Sequence, residues 1–366
     1  MVRRIKEREN IAGLRRELLA WYAVNRRDLP WRQTRDPYAI WVSEIMLQQT
    51  RVAVVVERYR AFLKKFPTVG ELAIAPVEEV LALWSGMGYY RRARMLHQAA
   101  MLVANEMEGE MPATAEGLRV LPGIGGYTAA AIASIAHGEA VAVVDGNVER
   151  VLCRVAGWDN GAQAEVKRRI QRFAAELVDP AQPGDFNQAM MELGATVCLP
   201  RSPQCLVCPL NAECKTRGEH KTEPRARMVS REAGYALVVR MGDRMGIGSG
   251  EVSDEVLLEQ RTALQTVMPG LWELPTLRDV NVPREDLRMT VRHAIMQVNY
   301  TVRIRAVGEA EVELLTVAGG ERRWVALDEA AGMALTGLAR KVLTRAGLLR
   351  IAESEKIPQK QWQDVV

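Results

Sequence analysis

Ile11, Leu14, Leu18, Leu19 and Tyr22 recur at the three-to-four spacing of a single helical face. The same period returns over residues 39–49, 51–64, 71–83, 91–106, 114–120, 126–137, 147–156, 164–176 and 186–194. Glycine and proline punctuate these stretches, as in Gly86-Met87-Gly88, Pro122-Gly123, Gly138 and Asp145-Gly146. The pattern predicts an all-α unit running from residue 11 to about 210. Beyond a polar stretch at 215–232 the period changes to two. Residues 235–240, 256–261, 300–307 and 323–327 read as strands, with a turn at Gly242-Asp243 and helices at 328–335 and 336–347. The second unit is therefore expected to be α+β and about 120 residues long. There is no internal repeat and no low-complexity tract.

Length and composition agree with this division. A chain of 366 residues, 48% of them hydrophobic, can bury two or three sizeable cores. No apolar run is long enough to span a bilayer. The start, Met-Val-Arg-Arg-Ile-Lys-Glu-Arg, reads as a basic amphipathic helix rather than a signal peptide, so a cytoplasmic protein is expected. The net charge is +4. Between Lys215 and Arg231 six basic residues face two acidic ones, a surplus equal to that of the whole chain. That segment suits contact with a polyanion, and it suits a solvated linker equally well.

The cysteines narrow the chemistry. Of five, Cys153 stands alone on an apolar stripe and reads as an inert core residue. Cys198, Cys205, Cys208 and Cys214 crowd into one loop, which in a reducing compartment points to metal rather than disulfides. Four soft thiolates suit tetrahedral zinc or a [4Fe–4S] cluster. Only one Cys-x2-Cys knuckle is present where zinc ribbons pair two, but spacing alone leaves both metals open.

Three further patterns carry candidate chemistry. Leu121-Pro-Gly-Ile-Gly-Gly-Tyr-Thr-Ala-Ala130 lies between two helical stretches, and Gly123 and Gly125 would let backbone amides approach a phosphate. Asp145, some twenty residues further on, is placed to cap the helix that begins near Asn147. Glu44 stands among apolar neighbours in Trp41-Val-Ser-Glu-Ile-Met-Leu-Gln-Gln-Thr50. Burial there requires protonation or pairing, unless the residue lies on an exposed helix face.

The cysteine loop resembles that of the endonuclease III superfamily, and the glycine segment resembles its helix-hairpin-helix motif. The Glu44 segment resembles the signature of the MutY-type adenine DNA glycosylases. The resemblance covers about residues 10–217 and, less specifically, 233–350. It implies an all-α glycosylase domain over 1–217 with a [4Fe–4S] cluster on the four cysteines, a basic linker over 218–232, a MutT-like domain over 233–350 and a tail over 351–366. It implies base excision repair of double-stranded DNA holding adenine opposite 8-oxoguanine or guanine, by a monomer at the bacterial nucleoid. Glu44 would protonate the adenine N7 and Asp145 would stabilise the sugar cation, supported by Tyr127 and Asn147. Trp31 would stack on the flipped base, Arg32 would contact it, and Gln188 would meet its edge, although an amphipathic helix explains Gln188 equally well. Gln49 and Tyr89 would wedge into the base stack. Arg91, Arg92 and Arg94 are candidate phosphate contacts. Tyr127 occupies the place where strand-cleaving members carry a lysine, so no Schiff-base chemistry is expected.

In the second unit, Pro269-Gly-Leu-Trp-Glu-Leu-Pro275 resembles the MutT-like domain of these enzymes. Residues 276–292 contain Arg284-Glu285-Asp286 but lack the paired glutamates of a pyrophosphohydrolase helix. The family's lesion-reading loop, His-x-Phe-Ser/Thr-His, aligns with His293-Ala-Ile-Met-Gln297, where Met296 replaces a hydroxyl donor and Gln297 the last histidine. Two other readings remain: a thymine or damaged-pyrimidine glycosylase of the same superfamily, and a non-catalytic iron–sulfur DNA-binding scaffold.

Overall fold

The computed structural model describes residues 2–159, 164–220, 228–242 and 253–349, apart from 263, 266, 278, 281, 284, 296 and 316–319. The chain forms two compact units. The first comprises Met1–Ala75 with Arg92–Pro224, and the second Pro76–Arg91 with Arg225–Val366.

Helices build the first unit: α1 (Val2–Asn25), α2 (Pro37–Leu47), α3 (Val52–Lys65), α4 (Val69–Ile74), α6 (Arg91–Glu106), α7 (Ala115–Leu118), α8 (Gly126–Ala136), α9 (Gly146–Ala156), α10 (Ala164–Leu177) and α11 (Pro183–Thr196). The expected helix over 71–83 is two helices, α4 and α5 (Val77–Leu83), and α5 groups with the second unit. The break falls at Pro76, which cannot donate to a continuing helix. One core joins four helices. Leu14, Leu18 and Tyr22 of α1 meet Val148, Val151 and Leu152 of α9, Ile170 and Leu177 of α10, and Phe186 and Leu193 of α11. Cys153 is fully buried in this core. Each helix thus presents the apolar stripe seen in the sequence, and burying those stripes is the main stabilising contribution.

Helix α2 is buried from Tyr38 to Met46 without a break. Its start is set by Pro37 in the first turn and by Asp36, whose carboxylate accepts from the Tyr38 amide at 3.0 Å. Its end is capped from outside. Arg92 Nη1 donates to the carbonyls of Ile45 (2.7 Å), Met46 (3.1 Å) and Gln48, and Arg92 Nη2 donates to Thr50 Oγ1 at 3.1 Å. Arg92, a candidate phosphate contact, is committed to satisfying orphan helix carbonyls.

The second unit holds two sheets. In the first, β6 (Val298–Ala306) lies between β1 (Val229–Leu237), to which it is parallel, and β5 (Leu287–Ile295), to which it is antiparallel. In the second, β3 (Glu255–Gln260) pairs antiparallel with β2 (Val239–Arg240), β4 (Trp272–Glu273) and β7 (Arg322–Ala326). The two sheets share a core with α12 (Leu327–Gly332) and α13 (Gly337–Arg345), drawing on Val256, Leu274, Val291, Val302, Val325, Leu338 and Val342. Among the described residues of 276–292 no helix forms. Strand β5 starts at Leu287, and Asp286 pairs with Arg305 at 3.2 Å. Glu273, in the Gly-Leu-Trp-Glu motif, is buried and accepts from Thr336 Oγ1 at 2.6 Å, which ties β4 to the cap of α13. Among the described residues no helix is long and apolar enough to cross a membrane.

Candidate active site

A cavity of about 730 Å³ opens in the helical unit between α2, α8, α11 and the loop before α9. Trp31, Arg32, Glu44, Gln49, Tyr127, Asp145, Asn147 and Gln188 all line it. These side chains come from five separate stretches of sequence, and folding brings them to one space.

Glu44 sits in the buried middle of α2 and is only 5% exposed, so the exposed-face alternative is excluded. Its Oε2 is buried without a hydrogen-bond partner. Burial lifts the carboxyl from the ordinary carboxylate range to about 7; the neighbouring Tyr127 hydroxyl pulls it down, the Asp145 charge pushes it up and Arg32 lowers it again. Burial, followed by the charge of Glu44, holds the Tyr127 hydroxyl well above its usual range, and that hydroxyl lies 3.3 Å from Met191 Sδ. Near neutral pH the cavity therefore holds a carboxylic acid that can give up a proton.

Asp145 is the N-cap of α9: Oδ1 accepts from the Val148 amide at 2.7 Å and Oδ2 from Asn147 Nδ2 at 3.1 Å. Capping does not withdraw it from the cavity, because Gly146 and Asn147 turn the same edge inward. Asn147 is held in turn by Arg150, whose Nη2 donates to Asn147 Oδ1 at 2.9 Å while Nε donates to the Cys198 carbonyl at 2.8 Å.

One wall was not legible in the sequence. Glu192, buried on α11, accepts from the Nε and Nη2 of Arg27, each at 2.7 Å, from the Arg27 amide at 3.1 Å, and from Arg32 Nη2 at 2.7 Å. Burial would raise this carboxyl, but the hydrogen bonds from Arg27 and Arg32 outweigh it and hold it at about 2. Two glutamates of one cavity thus take opposite forms at neutral pH. The Arg32 guanidinium, given over to Glu192 and to the Arg27 carbonyl at 3.0 Å, shapes the wall. Trp31 is buried edge-on to Tyr59, with ring centroids 5.5 Å apart.

The four cysteines border a second, small cavity together with Arg154, Gln204 and Asn211. None is in a disulfide. Arg154 Nη1 lies 3.3 Å from Cys198 Sγ, and Cys214 Sγ donates to the Arg154 carbonyl at 3.4 Å. Burial pushes the Cys208 thiol up to about 11, and the other three cysteines act on it as neighbouring charges. Among the described residues no group of three or more His, Cys, Asp or Glu side chains is gathered tightly enough to hold a single ion.

The HhH-GPD superfamily of base excision DNA repair proteins matches residues 42–176. A human adenine DNA glycosylase is 52% identical over 217 residues, which is 57% of this chain and 40% of the human one. An adenine DNA glycosylase of Mycolicibacterium smegmatis is 43% identical over 226 residues, covering 61% of this chain and 76% of the relative. A solved structure of a thermostable thymine-DNA glycosylase matches with a TM-score of 0.54 and 31% identity, over 58% of this chain and 98% of that one. The chain belongs to the MutY-type adenine DNA glycosylase family of this superfamily. It spans about two-fifths of the length of its mammalian relatives.

Gly123 and Gly125 of the hairpin are not among the residues that line the cavity. Gly123 turns the hairpin at φ 80°, and a Cβ there would meet Met95 Cβ at 2.8 Å, so only glycine fits. Gly125 caps α8 and faces open space. Gln49 and Tyr89 are both non-glycine residues in the left-handed region, at φ 58° and 48°, a strain that tends to persist at functional sites. Tyr89 groups with the second unit and is half exposed. His293 lies in β5 opposite Tyr300, with Gly337 of α13 alongside. Gln297 stands exposed where β5 turns into β6, its carbonyl accepting from the Val229 amide at 2.9 Å. Met296, along with Lys221, Arg225 and Arg227 of the basic stretch, lies outside the described residues. Arg217 of that stretch donates to the Asn211 and Ala212 carbonyls, each at 3.1 Å, and so braces the cysteine loop.

Proposed function

We propose that this protein is a monofunctional DNA glycosylase that releases adenine from its mispair with 8-oxoguanine or guanine in duplex DNA. The observation that carries the reading is the buried Glu44 carboxyl, neutral up to about pH 7, in the same cavity as Asp145. The target nucleotide leaves the stack and its base enters the cavity beside Trp31. Glu44 donates a proton to the purine N7, so the base departs without charge. Asp145 steadies the oxocarbenium-like sugar until a water adds to its anomeric carbon and gives up a proton, leaving an abasic hydroxyl, and Asn147 and Tyr127 support Asp145 and that water. Gln188 meets the adenine edge, Gln49 wedges into the stack beside the lesion, Tyr89 is a second wedge near the orphaned base, and amides around Gly123 and Gly125 hold a phosphate. Since Tyr127 carries no amine, the backbone is left uncut.

The cysteine loop fits a [4Fe–4S] cluster. Four soft donors border a common cavity, and the resemblance of their loop to that of the endonuclease III superfamily favours iron–sulfur over zinc. Cys198, Cys205, Cys208 and Cys214 would hold it, and it would supply a brace for their loop. The domain limits proposed are 1–217, 218–232, 233–350 and 351–366. The second unit, read as MutT-like, is proposed to examine the base opposite adenine through the stretch that begins at His293; since the sequence carries methionine at 296 in place of a hydroxyl donor, discrimination between 8-oxoguanine and guanine is expected to be weak.

Single-turnover base release from A:8-oxoguanine, A:G and G:T duplexes tests this. Adenine is expected from the first two, with strand breaks only after alkali. Release of thymine from G:T alone would turn the reading to the pyrimidine class, and release of nothing would leave a DNA-binding scaffold. Protein purified without oxygen is expected to carry iron near four atoms per chain, with the absorbance of an iron–sulfur cluster. Zinc in its place would overturn the cluster assignment.

A further inference from the structure

Asp145 ends an extended segment that joins α8 to α9 and belongs to no helix or sheet. Backbone groups in such a segment, when buried, need partners from elsewhere. Asn187, on α11 and only 2% exposed, supplies them. Its Oδ1 accepts from the Val143 amide at 3.0 Å, and its Nδ2 donates to the Val141 carbonyl at 2.9 Å and to Ser134 Oγ of α8 at 2.9 Å. The side-chain amide pairs with 141–143 as a neighbouring strand would, through one donor and one acceptor. One turn earlier on α11, Gly184 brings the helices together: a Cβ there would meet the Ser134 carbonyl oxygen at 2.8 Å and Ile135 Cα at 2.9 Å. The next two residues of the held segment, Val144 and Asp145, line the cavity, as does Gln188 beside Asn187.

From this geometry we infer that Asn187 is a positioning residue for Asp145: it fixes where the carboxylate enters the cavity and touches neither base nor sugar itself. The inference rests on the glycosylase reading and adds to it, because the proposed chemistry depends on where the Asp145 carboxylate stands beside the sugar. Asn187→Leu keeps the volume and removes every hydrogen bond. Asn187→Asp keeps the acceptor for Val143 and loses both donations. Ser134→Ala removes only the bond that does not reach the segment.

The test is single-turnover release of base by the full chain, recording rate constant and amplitude separately, with duplex affinity measured alongside. For Asn187→Leu the rate constant is expected to fall on the order of 10²-fold, with amplitude and affinity held. Asn187→Asp should fall between that variant and the wild type, and Ser134→Ala should stay within about threefold of wild type. Placed on Asp145→Asn, Asn187→Leu should cost little more, because a residue that acts through Asp145 has nothing left to position. A lower amplitude at the wild-type rate constant would reduce Asn187 to a folding role, as would full additivity with Asp145→Asn. If Asn187→Leu does not fold, a wild-type rate constant in Asn187→Asp overturns the inference. Should the wild type release thymine instead of adenine, the substrate reading fails while the same comparison is made on thymine.

Discussion

Glu44→Gln is expected to slow adenine release by about 10³-fold while leaving duplex binding close to wild type, within the range general acids contribute. Glutamine matches glutamate in size and keeps an oxygen near Tyr127, but it has no proton to give. The pH profile checks the same point independently. With the Glu44 carboxyl at about 7, the wild-type rate should be level below neutrality and fall as pH rises through 7, because only the neutral acid protonates the base. The residual rate of Glu44→Gln should lack that fall. Stability should follow pH in the same direction. A carboxyl raised above its unfolded value lends stability that is fully present below the unfolded pKa and is lost as pH rises through about 7, where burial must be met by a charge. At pH 8 the Gln variant should therefore resist urea at least as well as the wild type. A full rate in Glu44→Gln, or the same pH profile in both proteins, would remove Glu44 from the mechanism.

Much of the helical unit could be read from the sequence, because its information is local. Apolar stripes at helical spacing placed α9, α10 and α11 to within a few residues, and residues singled out from five stretches line one cavity. What escaped reading depends on partners far along the chain. Glu192 looks like one more polar position on an amphipathic helix until Arg27, 165 residues away, folds onto it. Asn187 reads as a neighbour of Gln188, and its role exists only once 141–143 lies alongside. Arg92 sits among basic residues and resembles its neighbours, yet it caps a helix that ends 45 residues earlier. In the second unit β5 went unread although it alternates: Arg288, Thr290 and Arg292 are exposed between Leu287, Met289, Val291 and His293, and the inward phase is only partly apolar and mostly half-buried. Met296, the position on which lesion discrimination was expected to turn, lies outside the described residues.

Asp145→Asn separates the two duties that meet at this position. Asparagine caps helices as well as aspartate does, so the bond from the Val148 amide to Oδ1 survives and α9 should keep its start. The second oxygen is another matter. Asp145 Oδ2 accepts from Asn147 Nδ2 at 3.1 Å, and an amide nitrogen in its place would set donor against donor and take away the negative charge facing the sugar. Base release should fall on the order of 10³-fold, the scale of losing a preorganised electrostatic partner of the transition state. Affinity for the mispaired duplex should hold or rise, because a negative charge has been removed beside a polyanion. The thermal midpoint should move little. If capping were the residue's whole contribution, release would proceed at the wild-type rate, and the cation would have to be stabilised elsewhere in the cavity. Glu192 is the other ionised carboxylate there, but Arg27 and Arg32 already occupy both its oxygens. Asp145, half-buried at the cavity edge, differs in that its two oxygens accept from the amides of Val148 and Asn147 and not from guanidinium groups.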